Sequence, residues 1–168
     1  MAVIAAIVVL RPKPGDGSDG NAFGTGNPAP ALVGTTLDGQ QLALADLRGR
    51  PVVVNFWGPS CIPCRDEFPL FVQQLAAHQA DGLAIVGVLM FDPPATARDF
   101  VKAYAATWPT VDDADGAIRT AYRAVARPQT YFIDRDGILR GVQVGQLTEA
   151  DFARGWAQIS GPAASAAP

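Results

Sequence analysis

The chain has 168 residues, a net charge of −3 and two cysteines. That length suits one domain with a real hydrophobic core, and the acidic balance leaves no basic footprint for nucleic acid. Two cysteines allow one disulfide and, with a single histidine, His78, fall short of a four-ligand zinc site.

Residues Ala2 to Leu10 are an unbroken apolar run, too short for a hydrocarbon core that takes roughly 20 residues to cross. The run lacks the basic n-region and small-residue cleavage site of a secretory signal. Residues 1–10 read either as the remnant of a membrane anchor or as a short buried or disordered N-terminus. Arg11 and Lys13 lie on its domain side, which opposes an outward-facing domain by the positive-inside rule. Residues 11–30, rich in Pro, Gly, Asp, Ser and Asn, read as a flexible linker. A tether behind an apolar stub suits a domain held near a membrane. The folded domain is expected over residues 31–158, with an Ala/Pro/Ser tail over residues 159–168.

Leu32-Val33 and Gln41 to Leu44 read as short strands around an Asp38-Gly39 turn. Val52 to Phe56 is continuously apolar but for Asn55, as expected for a strand covered on both faces. A helix is expected from about Cys61 to His78, kinked at Pro69. Ala84 to Leu89 reads as a second buried strand. The next helix has Thr96 as its expected N-cap and Asp99 completing a capping box, with Phe100, Tyr104 and Trp108 as its apolar stripe. A short helix follows Asp115. Gln129 to Ile133 and Ile138 to Val144 form a hairpin around Asp134-Arg135-Asp136-Gly137. The last helix starts at Thr148 with Asp151 three residues on. Helices interleaved with buried strands give an α/β sandwich with a mixed sheet.

The chemistry lies in Cys61-Ile62-Pro63-Cys64, between a strand and a helix. At the start of a helix, Cys61 meets unpaired N–H groups and the positive end of the dipole, which favour its thiolate. Cys64, one turn on, is placed to bridge Cys61 or to resolve a mixed disulfide. No metal or organic cofactor is needed. Glu67, a further three residues on, has two readings: a base for the Cys64 proton, or an acid that complements the helix dipole. Arg65 reads as a solvated surface charge. A peroxidase of the peroxiredoxin type needs Pro-x-x-x-Thr/Ser-x-x-Cys, and Val54 and Gly58 stand at those places. A metallochaperone holding a soft ion on both thiolates is the alternative, but His78, at the far end of the same helix, cannot fold back as a third ligand and reads as exposed.

Taken in order, Pro30-Ala31-Leu32, Leu47 to Trp57, Cys61 to Pro69 and Tyr131 to Gly137 resemble the thioredoxin superfamily, and within it the TlpA/ResA-like thiol-disulfide oxidoreductases. The resemblance covers about residues 29–156. It implies a thioredoxin-like fold, a central mixed β-sheet flanked by helices with an N-terminal β extension. It further implies a redox-active Cys61–Cys64 pair acting on cysteine-containing proteins, a location in the periplasm or on the outer face of the cytoplasmic membrane, a membrane electron donor, a membrane tether, and reduction of apocytochrome c. Pro128 matches the cis-proline that meets extended substrate, and Trp57 and Arg127 are placed with it at the substrate surface. Asn55 stands where cytoplasmic thioredoxins carry a buried aspartate, and Glu67 matches an acid of the ResA-like proteins, which favours its proton-handling role. Ser60 replaces a tryptophan, Gln129 a threonine, and Arg127 a small or β-branched residue. Pointed at Cys61, Arg127 would stabilise the thiolate and favour acidic substrates; pointed at solvent, it would do neither.

Overall fold

A computed structural model describes residues 23–162. The apolar stub at residues 1–10, the linker as far as residue 22, and residues 163–168 of the tail lie outside the described residues. Two strands, β1 (Val33–Thr35) and β2 (Gln41–Ala43), form an antiparallel hairpin. Its turn places Gly39 at φ +79°, where an L side chain would be strained. A 3₁₀ turn (Leu44–Leu47) leads to β3 (Val52–Trp57), α1 (Ile62–Ala77), β4 (Ala84–Leu89), α2 (Pro94–Ala103), β5 (Thr110–Asp112), α3 (Ala117–Ala121), β6 (Gln129–Ile133), β7 (Leu139–Val144) and α4 (Glu149–Ile159).

The main sheet has the order β5-β4-β3-β6-β7. The central strand β3 runs parallel to β4 and antiparallel to β6. Every residue of β3, β4 and β6 is buried, because both faces of the sheet are covered. Side chains alternate between the faces. Val52, Val54 and Phe56 point toward α3 and the N-terminal hairpin. Val53 and Trp57 point toward α1, α2 and α4. Asn55 shares that second parity, so β3 delivers one polar side chain to the buried face of α1.

Several elements differ from the sequence reading. Residues 23–30 are part of the domain rather than a linker. Gly26 and Ala29 donate backbone hydrogen bonds to Leu139 and Gly137, Phe23 packs edge-on against Tyr131, and the Tyr122 hydroxyl donates to the Pro30 carbonyl at 2.9 Å. At the other end, Ile159 is fully buried. Helix α2 starts at Pro94 rather than after Thr96, and Thr96 donates to the Pro93 carbonyl instead of capping; proline pre-sets the first-turn backbone. The helix ends at Ala103, so Trp108 reaches the aromatic cluster from the loop beyond it. The short parallel strand β5 was not foreseen. In α4 the capping box of Thr148 and Asp151 is formed.

Candidate active site

The strand β3 ends at Trp57, and the turn Gly58-Pro59-Ser60 sets Cys61 at the entrance of α1. Cys61 has extended backbone (φ −88°, ψ 109°) and acts as N-cap, its Sγ accepting from the Cys64 N–H at 3.2 Å. The two cysteines are joined as a disulfide with Cα atoms 5.3 Å apart. Cys61 is 7% exposed and Cys64 is 0% exposed. A partner can therefore reach only the first sulfur, which is also the one beside the unpaired N–H groups of the helix start.

Beneath the pair, Glu67 is 1% exposed. Its carboxylate accepts from Asn55 Nδ2 at 2.9 Å and from the Leu147 N–H at 2.8 Å. Asn55 also donates to Thr130 Oγ1 at 3.1 Å. Burial pushes the Glu67 carboxyl up to about 7, and the hydrogen bonds from Leu147 and Asn55 hold it back only in part. The dipole-complementing role does not describe a side chain turned into the core. Arg65, by contrast, is exposed.

Around the first sulfur, three loops are tied together. The Asp92 carboxylate, in the loop after β4, accepts from the Ser60 hydroxyl at 3.0 Å and the Ser60 N–H at 3.3 Å. Arg127 pairs with Asp92, donates to the Met90 carbonyl, and reaches the Ser60 hydroxyl at 2.7 Å. A Cβ at Gly58 would meet both the Arg127 guanidinium and the Asp92 carboxylate, so this glycine makes room for the pair. Arg127 is therefore tied to Ser60, next to Cys61, rather than free in solvent. Its charge is matched by Asp92, which sequence reasoning missed. The signal was Asp92 falling just past the apolar run of β4, beside the end of β3.

The Arg127–Pro128 peptide bond is cis, and Pro128 leads into β6, whose Gln129 pairs with Phe56 at the dithiol end of β3. Gln129 braces the loop before it. Its Oε1 accepts from the Val125 N–H at 3.1 Å, and its Nε2 donates to Tyr131 at 2.6 Å. Trp57 does not belong to a substrate surface. It is fully buried between Phe68 and Phe100, with ring centroids at 4.6 and 5.3 Å. Nor is His78 simply exposed: it is half-buried, stacks on Trp156 at 4.1 Å and meets Asp81 at 3.1 Å. Among the described residues, no group of three or more His, Cys, Asp and Glu side chains is placed to hold a metal ion.

Known proteins resemble this chain in sequence and in fold. The sequence model of the AhpC/TSA family matches residues 25–142. The thiol-disulfide oxidoreductase ResA of Bacillus subtilis is 34% identical over 125 residues, 74% of this chain and 70% of that protein. A thioredoxin-family thiol:disulfide interchange protein of Chlorobium tepidum superposes with a TM-score of 0.73 at 28% identity, covering 80% of this chain and 96% of the other. A secreted Mycobacterium tuberculosis disulfide oxidoreductase homologous to E. coli DsbE gives 0.68 at 27% identity, covering 75% and 94%.

Proposed function

We propose that this chain, which belongs to the AhpC/TSA family and is a thiol-disulfide oxidoreductase, reduces protein disulfides outside the cytoplasm, with Cys61 as attacking and Cys64 as resolving sulfur. The observation that carries this reading is the unequal exposure of a bridged pair at a helix start, with a buried acid on the inner side. In the reduced protein the Cys61 thiolate attacks one sulfur of a substrate disulfide, forming a mixed disulfide and releasing the first substrate thiolate. Cys64 then gives up its proton and attacks Cys61. The second substrate thiol leaves, two electrons have passed to the substrate, and the Cys61–Cys64 disulfide remains. Glu67 receives the Cys64 proton, and Pro128 meets the substrate backbone. Substrates are cysteine-containing proteins, with apocytochrome c among them through the family resemblance. A membrane thiol donor returns the two electrons.

The secreted M. tuberculosis relative supports the location. Among the described residues no helix is long and apolar enough to cross a membrane. Trapping tests the roles: Cys64→Ser should accumulate a mixed disulfide through Cys61, and Cys61→Ser should accumulate none. Equal trapping by both variants refutes the assignment. A dithiol potential near or below about −270 mV is expected for a reductase, whereas one near about −120 mV would reverse the direction.

A further inference from the structure

Among the described residues the exposed large apolar side chains are Val33, Ile62, Phe91, Val125, Val142 and Val144. Three of them lie close in sequence to the side chains tied together next to Cys61. Ile62, the first residue of α1, is two residues after Ser60, Phe91 adjoins Asp92, and Val125 is two residues before Arg127, so each is within two residues of one of the three partners Ser60, Asp92 and Arg127. Their exposures are 70%, 70% and 85%. Phe91 adopts φ +64°, a left-handed backbone that a bulky residue rarely takes and that is unfavourable for it. An exposed aromatic ring held out by unfavourable backbone contributes little to the core. Its surroundings are cationic: the Arg119 guanidinium lies 4.8 Å and that of Arg127 5.6 Å from the ring centroid.

The charge is local. The chain as a whole is acidic, and Asp112, Asp113 and Asp115 precede α3, with Asp113 accepting from the backbone N–H groups of Ile118 and Arg119; from Gly116 to Ile133 the chain then carries Arg119, Arg123 and Arg127 with no Asp or Glu. Arg127 is matched by Asp92. Arg119 has no ion-pair partner among the described residues, and it stands at the aromatic ring beside the dithiol. Arg123 turns instead onto Phe23, at 5.1 Å.

We propose that Ile62, Phe91, Val125 and Arg119 form a docking surface for an acidic cysteine-bearing segment of a partner protein. A large apolar side chain of the partner lies on Phe91, and an Asp or Glu near its cysteine pairs with Arg119. This rests on the disulfide-exchange reading and adds the partner's charge and apolar character to it. Exposed apolar rings beside a cation are the groups that anchor protein interfaces, and the charge opposite them selects among partners.

The test uses the reduced full chain and two disulfide-linked peptides, each with a tryptophan near the cysteine, differing only in Glu against Lys three residues away. Hydroxyethyl disulfide, small and uncharged, reports the dithiol chemistry alone. Wild type should prefer the Glu peptide by about fivefold at low salt, falling toward parity in 0.5 M salt. Arg119→Gln should abolish the preference, and Arg123→Gln should keep it. Phe91→Asn, which suits the left-handed backbone, should slow both peptides by about fivefold or more and leave hydroxyethyl disulfide unchanged. Equal rates on the two peptides, or a preference that survives Arg119→Gln, overturns the proposal. So does a wild-type dimer that Phe91→Asn dissociates, since the surface would then belong to a second copy. Failure of wild type to reduce hydroxyethyl disulfide refutes instead the exchange reading beneath it.

Discussion

Replacing Glu67 by glutamine removes a proton-binding group that the fold makes tighter than it is in the unfolded chain. The carboxyl rises from 4.5 to about 7 on folding, chiefly because it is buried. Two and a half pH units at about 1.4 kcal/mol each come to about 3 kcal/mol. The sign follows from which state holds the proton. Below pH 4.5 the acid is protonated in both states. Between 4.5 and about 7 the folded protein binds the proton more tightly, so stability falls as pH rises; above that the penalty is constant. The assay is urea unfolding of the oxidised protein from pH 4.5 to 8, where neither cysteine titrates. Glutamine cannot accept on both sides, so Glu67→Gln should cost about 1–3 kcal/mol near pH 4.5 for the donor of Asn55 or Leu147 left without an acceptor. Relative to wild type it should then gain about 3 kcal/mol between pH 4.5 and 8. Parallel stability curves for the two proteins would falsify the buried-acid argument.

Asp92→Asn leaves the Arg127 cation unmatched beside Cys61, and should lower the pH midpoint of Cys61 alkylation by about half a unit to one unit. Arg127→Gln should raise it by a similar amount, and the double variant should return near wild type. Midpoints that stay at the wild-type value in both single variants would show that the pair does not act on the sulfur. Phe68 is fully buried against Trp57, Phe100 and Trp108. Phe68→Ala should cost about 3–5 kcal/mol, read as a lower urea midpoint at unchanged slope; a loss below about 1 kcal/mol would mean that the cluster is loosely packed.

Features fixed by short-range chemistry were legible in the sequence. The apolar runs of β3, β4 and β6 announce themselves because both faces are buried, and the α4 capping box sits within one turn. Where two local signals competed, the wrong one prevailed. Thr96 and Asp99 have capping-box spacing, but Pro93-Pro94 starts α2 earlier. The strand β5 is only three residues and gains its hydrogen bonds from β4, not from its own pattern. Residues 23–30 have a linker's composition, yet two apolar side chains and pairing along β7 suffice to order them. In the site, the spacing of Glu67 from Cys64 was readable and its burial was not, since that depends on Asn55 and on Leu147, 80 residues away. Asp92 was invisible as a partner because 32 residues separate it from Ser60. The three departures Ser60, Arg127 and Gln129 looked independent. In the fold, Ser60 and Arg127 are joined through Asp92, and Gln129 holds the loop that carries Arg127.

The stability that Glu67 forfeits above neutral pH and the work it does in the proposed cycle have one origin. In the proposed cycle, resolution of the mixed disulfide requires a proton to leave Cys64, a residue fully buried in the disulfide form, and Glu67 is the base proposed to take it. From a thiol of ordinary acidity, near about 8.5, to a carboxylate of ordinary strength that transfer is uphill by about 4 pH units, or about 5–6 kcal/mol. To a carboxylate raised to about 7 it is uphill by about 1.5 units, or about 2 kcal/mol. The difference, about 3 kcal/mol, is the same quantity by which burial destabilises the folded carboxylate at pH 8. A variant that relieves the burial penalty must therefore slow resolution. Glu67→Gln, relatively more stable at pH 8 than at pH 4.5, should accumulate the mixed disulfide there during turnover, as Cys64→Ser does completely. If it resolves as fast as wild type, Cys64 has another route for its proton, and the buried acid is a cost to stability without a role in the exchange.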